Sequence, residues 1–211
     1  MVCQGRRIAP KFLLTLFTLT TSLLISACGQ APATNSRWTS LPVTIYADSS
    51  IVATPQSQSD LQDAMKFWED KAGRTLFDYR GVYTASTQPY TGTPGDPGTI
   101  TDNVIFFQNP WPAAANIIGQ TVVTATNSAI QHAMIMINPN APFCSGDCVG
   151  AEYQNSARKN LAHELGHFLG LTHINDVSNV MYPVIQPGGS LQNVTIDIAT
   201  FNELVLPIVN P

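Results

Sequence analysis

Three of the four histidines in this 211-residue chain fall within eleven positions, His163-Glu164-Leu165-Gly166-His167-Phe168-Leu169-Gly170-Leu171-Thr172-His173. Each helical step turns a side chain by about 100°, so His163 and His167 face the same side one turn apart and can grip one metal ion. A continuing helix would carry His173 about 600° beyond His167, onto a largely opposed face. The helix must therefore stop first, and Gly170 supplies the stop, because glycine enters the left-handed region without a Cβ penalty. Three neutral imidazoles suit zinc and leave one tetrahedral vertex for water, the layout of a catalytic rather than a closed site. Glu164 follows the first ligand and points beside the metal's protein shell. A carboxylate there can take a proton from a water that zinc has acidified to a pKa of about 7, then return it to a leaving amine. The metal would also polarise the carbonyl and steady the oxyanion.

The elements that must hold these residues are legible around them. Asn155-Ser156 precede a predicted helix running to Leu169, with Ala157, Leu161, Leu165 and Phe168 on one apolar face. An earlier helix carries Leu61, Ala64, Met65, Trp68 and Ala72 at three- and four-residue intervals between Ser59-Asp60 and Gly73. Its Met and Trp read as core. Strands are predicted over 43–46, 77–83, 104–107, 117–123 and 133–137, the continuous apolar run at 104–107 suiting a buried central strand. A long Thr/Gly/Pro-rich loop spans 84–102, and a final helix is expected over 195–205 with Ile196, Ala199 and Leu204 as its buried stripe. Strands separated by helices predict an α+β fold: a mixed twisted sheet with two long helices packed on it, one carrying the histidines. No internal repeat is found.

Only 11% of residues are charged, so disorder and coiled coil are disfavoured. The net charge is -4, and three of ten basic residues (Arg6, Arg7, Lys11) lie in the first eleven positions; without them 7 basic face 14 acidic residues, or -7. Such a body offers no footprint for phosphate backbones, so nucleic acid is not an expected partner. After the basic start comes an apolar run from Phe12 to Ile25 and then Ser26-Ala27-Cys28, the order of a secretory signal. Leu24-Ile25-Ser26-Ala27-Cys28 resembles the lipobox of bacterial lipoproteins, which implies lipidation of Cys28 and a membrane-anchored, extracytoplasmic protein. The expected organisation is a lipoprotein signal at 1–27, a flexible tether at 28–40 rich in Gly, Ala, Pro, Thr, Asn and Ser, and a catalytic domain at 41–211 acting as a monomer. Outside the cytoplasm Cys144 and Cys148 become candidates for a disulfide across Ser145-Gly146-Asp147, with two reduced thiols as the other reading.

The spacing H-E-x-x-H-x-x-G-x-x-H followed by a methionine is the metzincin signature, and this segment resembles a matrixin-like zinc peptidase. His173-Ile174-Asn175-Asp176-Val177-Ser178-Asn179-Val180-Met181-Tyr182-Pro183 is similar to the matrixin continuation in its Asp three after the third His, its Met eight after it, and its Met-Tyr-Pro ending. The resemblance implies a metzincin-like fold with a Met-turn at Met181, a structural support rather than a ligand, and a C-terminal helix. It implies zinc endopeptidase activity on peptide or protein substrates, with His163, His167 and His173 as ligands and Glu164 as the general base. It also implies that the 133–137 strand lies along the cleft, where an extended substrate adds as a strand. Specificity in the similarity belongs to 163–183; elsewhere, over 41–205, it is loose.

There are departures from the family pattern. No Pro-Arg-Cys-Gly-type thiol switch is present, and only His132 lies outside the motif, so a second structural zinc lacks ligands. Val194 and Thr195 stand where paired acids are expected, and Ile185 where a Tyr lines the first primed-side pocket. Asp176 is expected to brace the loop after the third ligand through backbone hydrogen bonds. Calcium is common in the family, and Asp/Asn/Gly-bearing loops offer oxygen ligands, but no set is assigned. A second class of function, a surface lipoprotein that grips a strand without cutting it, would leave mixed peptides intact.

Overall fold

The structure is a computed structural model that describes residues 36–84, 102–148, 150 and 154–205. The signal, Cys28, most of the tether and most of the 84–102 loop lie outside the described residues. Five strands form one mixed sheet: β1 (Val43–Ala47), β2 (Phe77–Val82), β3 (Val104–Phe107), β4 (Gly119–Thr126) and β5 (Ala129–Ile137), in the order β2-β1-β3-β5-β4. β1, β2, β3 and β5 are parallel neighbours, and β4 runs antiparallel to β5. β3 is central, as its unbroken apolar run predicts. Ile105, Ala133 and Ile135 point to the main core, while Val104, Phe106, Met134 and Met136 fill a smaller core on the other face.

The placement of β5 corrects one expectation. It is not the cleft strand: it lies between β3 and β4, with both edges paired. The outer edge belongs to β4, whose short polar and β-branched residues carry a weaker apolar signal than the buried run of β5.

α1 (Pro55–Ala72) begins earlier than its apolar stripe suggests, because a cap sets its start rather than its hydrophobic face. Thr54 and Ser57 form a reciprocal capping box, Pro55 occupies the first turn, and Gly73 in the left-handed region ends the helix. Leu61, Ala64, Met65 and Trp68 are its buried side, and the Trp68 indole donates to the Ala162 carbonyl at 2.7 Å. That bond fixes α1 against α2 (Ala157–Phe168) one residue before His163. At the other end of the pair, Arg158 reaches Asp60 at 2.7 Å, Asp63 at 3.0 Å and Asp147 at 3.1 Å. Cys144 and Cys148 are joined in a disulfide, and Gly146 N–H donates to the same Asp60 carboxylate at 3.0 Å, so this loop is tied to both helices.

Two boundaries differ from the sequence reading. The folded body starts before residue 41: Arg37 pairs with the beginning of β5, and Trp38 is buried, its indole donating to the Phe168 carbonyl at 2.7 Å. That bond satisfies one of the orphan carbonyls at the end of α2. Just beyond, Gly170 has φ +98°, and a Cβ there would collide with the Ser36 carbonyl, so the stop that the motif needs is also a close contact with the N-terminal segment. The last helix, α3 (Ile198–Leu204), starts later than expected because Asp197 caps it through Ala199 N–H and Thr200 N–H. Among its described side chains the buried one is Phe201, followed by Val205 just past its end, whereas Ala199 and Ile198 are exposed and Ile196 is half-buried; the Leu204 side chain lies outside the described residues. Phe201 stacks on Trp68 with ring centroids 5.5 Å apart, which outweighs the aliphatic stripe in setting the helix's rotation.

Candidate metal centre

α2 starts at a Ser156 cap, which accepts from Lys159 N–H, and presents His163 and His167 from one face. After Gly170 the chain turns back and brings His173 to them. Imidazole nitrogens of the three residues lie within 4.8 Å of one another, with His167 Nε2 and His173 Nε2 3.1 Å apart. That separation is close to the edge of a tetrahedron with Zn–N bonds of about 2.0–2.1 Å, which is about 3.3–3.4 Å. Among the described residues this is the one group of three or more His, Cys, Asp or Glu side chains so gathered.

The hydrogen bonds set the tautomers. His163 Nδ1 faces the Val180 carbonyl at 2.7 Å and His167 Nδ1 the Leu171 carbonyl at 2.8 Å. A carbonyl can only accept, so both Nδ1 atoms carry the proton and both Nε2 atoms present lone pairs. His163 Nε2 is buried with no hydrogen-bond partner. Lone pairs converging in a buried site repel unless a cation shares them, so the donor set fits a metal and fits zinc in particular. Burial, followed by the neighbouring His167, holds His163 well below the usual histidine range. Burial pushes His167 down to about 4 and lowers His173. The three imidazoles are thus neutral near pH 7 and could take up a metal without losing a proton.

A pH dependence follows. In the metal-free chain, unfolded His167 takes a proton below about 6.5, whereas the folded one refuses it until about 4. Its contribution to stability is full above pH 6.5 and is lost as pH falls through that window. Unfolding midpoints of chelator-treated protein should decline across it; a flat profile would mean that the ring is solvated.

Met181 lies in the turn Asn179-Val180-Met181-Tyr182, closed by Tyr182 N–H to the Asn179 carbonyl at 3.0 Å. Its sulfur packs against the helix backbone at Gly166, between His163 and His167, where a Cβ would collide with it. The turn thus supplies both the Val180 carbonyl that aims His163 and the thioether packed under α2. Asp176 accepts from Ser178 N–H at 2.9 Å and Ser178 Oγ at 2.8 Å, bracing the loop after His173; these bonds lower its pKa. His132 stands apart on β5, its Nε2 2.7 Å from the Asp102 carbonyl.

Glu164 is fully buried and is not part of the nitrogen cluster; its Oε2 accepts from Thr121 Oγ1 at 2.6 Å. Thr121 lies on β4, and nothing in the 163–183 motif points to it. Its only signal is the period-two face that it shares with Gly119. Beside the turn, a cavity of about 40 Å³ is lined by Lys159, Val180, Tyr182, Ile185 and Gln186, among others. Lys159 Nζ donates to the Gln186 carbonyl at 2.8 Å, and burial lowers its pKa.

A mixed sheet with an antiparallel edge strand, a helix bearing two of three convergent imidazoles, and a methionine turn packed on that helix make a metzincin-like α+β domain. The Matrixin family model matches residues 37–204, and the chain belongs to that family. Among solved structures it is similar to metalloproteinase-II from Bacteroides fragilis, at 14% identity and a TM-score of 0.50, a likeness of fold. That match covers 91% of this chain and 60% of the other, so this chain spans less than two thirds of that protein's length. No curated protein matches it.

Proposed function

We propose that this matrixin is a zinc endopeptidase that works outside the cytoplasm, tethered by lipid on Cys28. The observation that carries the activity is the convergence of the His163, His167 and His173 imidazoles, with the Nε2 atoms of His163 and His167 unprotonated. Zinc held there supplies a Lewis acid that acidifies a water and polarises the scissile carbonyl. Glu164, on the same helix but outside the ligand set, takes the proton from the attacking water and delivers it to the leaving amine. β4, an edge strand of the sheet among the described residues, pairs with an extended substrate, which gives register without reading sequence. The cavity beside Val180 receives the side chain that follows the scissile bond, with Ile185 as part of its wall. Met181 supports the ligand helix and binds nothing.

The anchor rests on the Ser26-Ala27-Cys28 ending of the leader, and the Cys144–Cys148 disulfide suits an oxidising compartment. Zinc-loaded protein incubated with a mixed peptide library should cut peptides internally, and its intact mass should show a diacylglyceryl group. A library left whole would point to a strand-gripping binder, and an unmodified Cys28 would remove the anchor.

A further inference from the structure

The motif supplies a general base but nothing that says how its carboxylate is kept in place. A glutamate has three side-chain torsions, and a carboxylate next to a dication has an obvious wrong destination, the metal's own shell. In this chain β4 meets it. Thr121 Oγ1 is 2.6 Å from Glu164 Oε2 and 3.1 Å from the Glu164 carbonyl, and both residues are buried. Its one hydroxyl proton goes to the nearer acceptor, the side-chain oxygen. Two residues earlier on the same face of the strand, Gly119 lets the backbone approach the carboxylate. A Cβ there would lie 2.5 Å from Oε1, 2.9 Å from Cδ and 3.0 Å from Asn160 Oδ1. Backbone on one side and a hydroxyl on the other leave the side chain a single station.

We infer that Thr121 is a positioning residue for the proposed reaction: its hydroxyl holds the Glu164 carboxylate against β4, in the orientation from which it moves the proton. The strand that pairs with substrate is then also the strand that aims the base. This rests on Glu164 being the base, and the test keeps the two claims apart.

Thr121→Val keeps shape and β-propensity and removes the donor; Thr121→Ser keeps the donor. In purified zinc-loaded protein, Thr121→Val should retain its zinc and its KM within about 2-fold while kcat falls about 10- to 100-fold, the scale expected when a reacting group is displaced by about 1 Å. Thr121→Ser should recover most of kcat. In the metal-free chain, Thr121→Val and Glu164→Ala should be non-additive in unfolding midpoint, since the second removes the partner of the first. Unchanged kcat in Thr121→Val, equal losses in the Val and Ser variants, additive midpoints, or loss of zinc or fold would each overturn the positioning role. If Glu164→Gln itself cuts normally, the assignment of the base fails instead, whatever Thr121 does.

Discussion

Glu164→Gln should bind about one zinc per chain as the parent does, yet lose peptide cleavage by about 1,000-fold, within the range that a positioned general base contributes. The substitution is close to isosteric, and an amide carbonyl can still accept from Thr121 Oγ1, so the packing against β4 survives. What disappears is the ability to take a proton. Elemental analysis and a cleavage assay on the same sample separate these outcomes. A variant that still cuts would relocate the base, and one that loses zinc would mean that the carboxylate is part of the ligand set.

His163→Ala should do the reverse of sparing the metal. This residue is fully buried, its Nε2 has no other partner, and its Nδ1 proton is the one given to the Val180 carbonyl. Removal takes a ligand away and leaves a buried carbonyl unsatisfied, at a cost of about 1–3 kcal/mol before any cavity is counted. Zinc content should fall to near zero after dialysis, cleavage should vanish, and added zinc should no longer raise the unfolding temperature. In the parent, zinc at about 1,000 times its dissociation constant adds about 4 kcal/mol, so the lost response is large. A His163→Ala protein that still responded to zinc would place the metal elsewhere.

The parts of the fold that could be read from the residues are those whose information is local. The 163–173 spacing carries its own geometry, and β3 declares its central position through four consecutive apolar residues. What could not be read depends on partners far along the chain. Trp38 sits in a polar stretch with no periodicity, and its burial exists only because the end of α2 offers it a carbonyl and the Phe168 ring. The exchange of β4 for β5 at the cleft has the same origin: a strand's apolarity reports how deeply it is buried, not which edge stays open. α3 is rotated by one aromatic contact with Trp68 that no hydrophobic stripe encodes. Thr121 is an unremarkable strand residue until the chain is folded, when it meets a glutamate 43 positions away.

The clasp between Trp38 and the end of α2 bridges 130 residues to Phe168. Contacts so distant incur their loop-closure entropy before they return any stabilisation, so they form late. A ribosome releases Ser36 to Trp38 long before it releases the helix end that they grip, and the Val180 carbonyl that aims the first histidine comes later still. A nascent chain that ends before this point therefore lacks the carbonyl that aims His163. Assembly of the three-histidine group therefore waits for the chain beyond Val180.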